Sequence, residues 1–289
     1  MKATLFFILL LTFPILSMSQ EETFQSLSAK GNEFIDKVDY KNALLCFEKA
    51  LNMCTDNQAD IVWTASLAGI CAQHMEDFPK AFSLFEIAIK NNCKDIDVYT
   101  RGLLIAEQLN DPVKEEQMLL AARKNVDGAY KTYTTRLLNL YFRDQQFDKA
   151  ISVADELLLL DATQTQVIKI KGFSLIKIGK QNEAIPIFET ILAANPKDLE
   201  SLMQLGLIYY ERGSLIFDKA KENYKSIKNP TQINYTEYRM QNEKSGTDYR
   251  KAIPYLEKAY QIKPDDGLKN ALFKSYSRTG NVPKANQFK

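Results

Sequence analysis

Small and ring-forming residues return along this chain at a fixed interval. Ala150 and Ala184 are 34 residues apart, as are Gly172 and Gly206, while Ala184 and Ala252, and Pro196 and Pro264, are 68 apart, twice that interval. A period of this length marks a supersecondary unit that cannot bury its apolar face alone and must stack on its neighbours. Such a chain builds an array of helix pairs, not one core around a catalytic pocket. It reads as a binding scaffold, and the period does not specify what is bound.

The interval sets a register. Repeat 1 (24–57) carries Leu27, Gly31, Phe34, Tyr40, Ala43, Phe47 and Ala50. Repeat 2 (62–95) carries Gly69, Phe78, Ala81, Phe85 and Ala88. Repeat 3 (95–128) keeps Gly102 and Ala121 but has Lys114 where alanine is expected. Repeat 4 (131–164) has Leu137, Tyr141, Phe147 and Ala150; repeat 5 (165–198) has Gly172, Leu175, Ala184, Phe188 and Pro196. Repeat 6 opens at 199 with Leu202, Leu205, Gly206 and Tyr209 and closes with Ala252, Leu256, Ala259 and Pro264; a partial repeat with Tyr276 and Ala285 ends the chain. Pro79, Pro112 and Pro283 all fall at the start of a second helix, where the missing N–H has no helical partner to lose.

This pattern resembles the tetratricopeptide repeat, of the type found in secreted bacterial proteins, over nearly all of residues 24–289. The family has small residues at positions 8 and 20 where its two helices, A and B, cross, and a bulky side chain there would overpack the crossing. Position 24 is expected to fill the space between one pair and the next. The resemblance implies an all-α, right-handed tetratricopeptide superhelix, an α-α solenoid. Repeat 6 departs from it, because one extra period, roughly 213–246, separates its halves. Either both helices are lengthened, giving a long hairpin that turns at Asn229-Pro230 and projects from the solenoid, or the insert hides a degenerate repeat. The hairpin is preferred, because Met240 stands where the hidden repeat needs a small residue. The expected organisation is a leader at 1–19, repeats 1–5 at 20–198, repeat 6 with its insert at 199–265, and a partial capping repeat at 266–289.

The leader reading rests on Lys2, the apolar run Leu5 to Phe13, and Ser17 and Ser19 before a cut at Gln20. The run is shorter than the ~20 residues a membrane span needs, and no cysteine follows to carry a lipid. Export to the periplasm or the cell exterior is expected, without stable membrane insertion. The chain has 37 Lys+Arg and 36 Asp+Glu; residues 1–19 contain only Lys2 among these, leaving 36 of each. No basic stripe suggests nucleic acid. Cys46, Cys54, Cys71 and Cys93 do not have zinc-ligand spacing. Export permits disulfides, and Cys54 and Cys93 fall in equivalent loops, but free or buried thiols are the simpler expectation.

Catalytic patterns are lacking. His74 is the one histidine, no hydrolase, zinc-protease or phosphate-loop motif occurs, and Glu115-Glu116 reads as solvated surface. No catalytic residue, metal or cofactor is expected. The resemblance instead implies a concave face lined by helix A at positions 2, 5, 9, 12 and 13. Carried onto this chain, those positions supply Trp63, Ser66, Ile70 and His74; Tyr99 and Leu103; Thr135, Asn139, Phe142 and Arg143; Lys169, Phe173 and Lys177; and Met203, Leu207, Tyr210 and Glu211. Aromatics with a few cations suit an extended peptide or a partner helix. The carboxylate clamp of chaperone-binding relatives is excluded, since of Ser28, Asn32, Tyr99 and Leu103 only Asn32 agrees with it. The expected function is a non-catalytic exported adaptor with a protein or peptide in its groove, working in envelope assembly or secretion. The alternative is a homo-oligomerisation module acting through Tyr235, Tyr238 and Tyr249 of the hairpin.

Overall fold

A computed structural model describes residues 22–289. The expected leader lies outside them. Among the described residues there are fourteen helices and no strand: α1 Phe24–Asp36, α2 Tyr40–Met53, α3 Gln58–His74, α4 Phe78–Lys90, α5 Ile96–Gln108, α6 Pro112–Asn125, α7 Tyr130–Arg143, α8 Phe147–Leu160, α9 Thr165–Lys177, α10 Gln181–Ala194, α11 Leu199–Ser226, α12 Gln232–Ile262, α13 Asp266–Arg278 and α14 Val282–Gln287. They fall into two compact units that divide after Asp127. Within each, every helix packs on the next in sequence. The fold is the all-α array of helix pairs that the 34-residue period implied.

Local chemistry starts and stops these helices. Thr23 and Asn57 cap α1 and α3, and Asp39, Asp77, Asp95 and Asp111 cap α2, α4, α5 and α6, each accepting a backbone N–H that the first turn leaves without a partner. Pro112 opens α6, and Pro79 and Pro283 are the second residues of α4 and α14. The tight turn between helices A and B passes through the left-handed region at Val38, Glu76, Asn110, Gln145, Gly179 and Gly280. Only two of those six are glycine.

In five of the pairs the crossing is closed by one repeated contact. A methyl group added at Gly31, Gly69, Gly102, Gly172 or Gly206 would lie 2.7, 2.5, 2.7, 2.8 or 2.7 Å from Phe47, Phe85, Met118, Phe188 or Leu256 respectively. The position-24 side chain therefore sits on the position-8 glycine of its own pair, and does not simply fill the gap to the next one. Ala43, Ala81, Ala184 and Ala252 have no exposed surface at four of these crossings, and Ala150 has none where α8 meets α7. Where Lys114 replaces alanine, its ammonium stands 5.4 Å from the centre of the Phe82 ring and pairs with Asp111 at 2.6 Å. Glu115 is not the solvated residue expected. It is buried, because it lies on one helical stripe with Met118, Leu119 and Ala122.

The extra period of repeat 6 lengthens both of its helices. α11 spans 28 residues and α12 spans 31. They run antiparallel: Gly206 lies against Leu256, Ser245 Oγ donates to the Gly213 carbonyl (2.7 Å), and Tyr224 stacks on Tyr238 (4.9 Å). Arg212 grips the buried Asp248 with two hydrogen bonds, of 2.6 and 3.2 Å. No helix of the described residues is long and apolar enough to cross a membrane.

Candidate protein-binding groove

The helix A of repeat 2 begins a turn earlier than the register required, at Gln58, because Asn57 caps it. That extra turn lengthens one wall of a groove in the first unit. The groove encloses about 650 Å³ between α3 (Gln58, Ala59, Val62, Trp63, Ser66, Leu67, Ile70) and the loop Asn91–Asp95 that leads from α4 to α5. Trp63 is 41% exposed, far more than a core tryptophan, and opens into this space. Its ring is held edge-on against the fully buried Phe47 (5.8 Å, 84°). One face is thus fixed by packing and the rest is offered to a ligand.

The opposite wall is a loop held in place by hydrogen bonds. Asn92 adopts φ 61°, Cys93 N–H donates to the Ala88 carbonyl, and Asn91 Nδ2 donates to the Ile87 carbonyl at 2.8 Å. Tyr99 Oη donates to the Cys93 carbonyl at 2.7 Å and accepts from Asn125 Nδ2 at 3.0 Å. Tyr99 was expected to face a peptide. It is fully buried, and its place is behind the loop, which it fastens. Burial pushes the Cys93 thiol above its ordinary pKa, so this lining residue is a neutral, weakly polar group at physiological pH. All four cysteines are free thiols. The surface is apolar along α3 and carries amides and one charge of each sign, Lys94 and Asp95, along the loop.

The other expected residues are scattered. His74 is exposed and lies flat on Tyr40 (centroids 4.2 Å, 4° between planes). In the second unit Asn139 and Lys177 are exposed, and Arg143 is exposed with an ion pair to Asp144 at 2.9 Å. Lys169 is no loose cation: it is largely buried between Asp198 (2.6 Å) and Glu200 (2.8 Å). Phe142, Phe173 and Tyr210 are half-buried, each turned onto a ring of the helix that follows, at 5.9 Å from Phe147, 5.5 Å from Phe188 and 5.8 Å from Tyr249. Met203 packs against the core of the second unit. The register therefore found Trp63, Ser66 and Ile70 and missed Val62, Leu67 and the whole loop wall. A rule written for helix A has no term for the turn joining one pair to the next. Among the described residues no cluster of His, Cys, Asp or Glu could hold a metal ion.

Residues 245–266 match the tetratricopeptide repeat family profile. That segment is the second half of the antiparallel pair closed by Gly206 and Leu256, the same crossing that recurs through the chain. The chain has the fold of a tetratricopeptide array. A solved structure from Bacteroides ovatus, described as a candidate protein-binding protein, shares the tetratricopeptide-like fold at a TM-score of 0.50 and 22% identity, over 76% of this chain and 98% of that one. A tetratricopeptide protein from Bacteroides fragilis aligns at 0.39 and 18% identity, over 89% and 99%. One from Parabacteroides merdae aligns at 0.36 and 15%, over 87% and 98%. No curated protein matches the chain in sequence.

Proposed function

We propose that this tetratricopeptide chain is an exported, non-catalytic adaptor whose first unit holds an extended segment of another protein against Trp63. The observation that carries this reading is the posture of Trp63, fixed on one side by Phe47 and open on the other to a groove of about 650 Å³. A rigid aromatic beside apolar stems binds an apolar side chain at little cost in conformational entropy. The amides of Gln58, Asn91 and Asn92 suit the main chain of an extended peptide. Export follows from the leader sequence at 1–19, and envelope assembly or secretion is the setting we assign.

The test is direct, because Trp63 is the single tryptophan. Its fluorescence reports on groove occupancy with no added label. Peptides selected from a random 12-residue library are titrated into the protein while emission is followed. Binders should shift the emission, and Trp63→Ala should weaken their affinity, measured calorimetrically, by about 30-fold or more, as for a central anchor residue. Binders that leave the emission unmoved, or that bind Trp63→Ala equally well, place the site elsewhere. Localisation is read by fractionating cells that carry the full chain and a form lacking 1–19.

A further inference from the structure

The inner face of α12 packs along α11, with a cleft of about 220 Å³ left near the hairpin tip. Tyr238 stacks on Tyr224, Tyr235 is tilted against the same ring at 6.2 Å, and Tyr249 is buried. Of the tyrosines that the sequence offered for self-association, Tyr238 and Tyr249 therefore hold α11 to α12, while Tyr235 keeps 44% of its surface exposed. The outer face is different. Ile233 and Met240 are 78% and 67% exposed and stand seven residues apart, on one stripe of the helix. Four charged residues surround Met240. At 100° per residue, Glu237 and Lys244 lie on one flank of the stripe, and Arg239 and Glu243 on the other. None of the four has an ion pair among the described residues.

These signs have a symmetry of their own. Traversed backwards from Lys244 to Glu237, each flank shows the opposite charge at the mirrored place, about a centre at Met240–Gln241. Two antiparallel helices bring the same flank of each together, so this face is complementary to itself. A foreign partner would not require that inversion. The antiparallel orientation also opposes the two helix dipoles.

We propose that the outer face of α12 binds the same face of a second copy, antiparallel, around a two-fold axis near Met240. Glu237 then faces Lys244 of the other copy, and Arg239 faces Glu243, each pair occurring twice, around Met240 at the centre. The contact spans about two helical turns. It belongs at the small end of specific interfaces and forms a weak, reversible dimer. The site is separate from the Trp63 groove, so either can fail without the other.

Sedimentation equilibrium up to about 0.5 mM protein reads the outcome, a range that populates a weak contact. The wild type should pass from monomer to dimer. Glu237→Lys should weaken association about tenfold or more, because it sets two like-charge pairs across the axis. Lys244→Glu should do the same, and gives a second arm should the first variant misfold. The double variant Glu237→Lys/Lys244→Glu should restore association to within about threefold of wild type. A wild type that stays monomeric overturns the proposal, as do single variants without effect. So does a double variant that associates no better than either single.

Discussion

A methyl group added at Gly69 would sit 2.5 Å from Cε1 of Phe85, a ring with no exposed surface and no room to retreat. At Val38 the problem runs the other way: a β-branched residue holds φ 60° in the turn between α1 and α2, with its side chain mostly in solvent. Left-handed backbone costs an L-residue roughly 1–2 kcal/mol, and glycine avoids that cost. Gly69→Ala should therefore destabilise the chain by about 1–3 kcal/mol, while Val38→Gly should stabilise it by about 1 kcal/mol. Urea unfolding of both variants tests the pair, and equal signs would contradict this account of the crossing and the turn. The glycine was legible in the sequence as a spacing. The strained valine was not, since nothing in a valine codon reports the φ that a helix pair imposes on it.

The link between repeats 5 and 6 depends on charge as well as packing. Lys169 of α9 reaches Asp198, which also caps α11 by accepting the Ser201 N–H at 3.0 Å. Burial raises the Asp198 pKa, but the bonds from Lys169 and Ser201 outweigh it and leave the carboxyl below its ordinary value. Burial likewise works against the Lys169 ammonium, and its two carboxylate partners overcome this and raise its pKa. A depressed carboxyl contributes stability that is present above its unfolded-state value, near 3.8, and is lost as pH falls through the folded value. A raised ammonium contributes stability that is present below its unfolded-state value, near 10.5, and is lost as pH rises through the folded value. Lys169→Met should thus flatten the fall in melting temperature below about pH 4, which differential scanning calorimetry would record. An unchanged acid limb would mean the ion pair contributes nothing. Position 5 of helix A marked Lys169 as a groove cation, and only its neighbours in space show that it fastens the next helix.

Each compact unit has its own core, and stability in repeat arrays is close to a sum of neighbouring interfaces. In the first unit, Phe47, Phe82, Phe85, Leu103 and Met118 are all buried. Residues 22–127 expressed alone should fold, with a helical circular dichroism spectrum and a cooperative melt. They should retain the emission that Trp63 has in the full chain, since both walls of the groove belong to this unit. A fragment that is unfolded by circular dichroism would show that the second unit is needed for the first to form.

The spacing of small residues determined the helix-pair architecture, because a close backbone crossing favours glycine or alanine at most of its recurrences. The same spacing determined which residues form helix A, and so put Trp63 on an open face. Tertiary structure alone decided which of those residues remain available. Tyr99 went behind a loop, Lys169 into an ion pair, and Phe173 and Tyr210 onto neighbouring rings, because a side chain's freedom is set by what packs beside it, and those neighbours lie about 6 to 40 residues away in sequence.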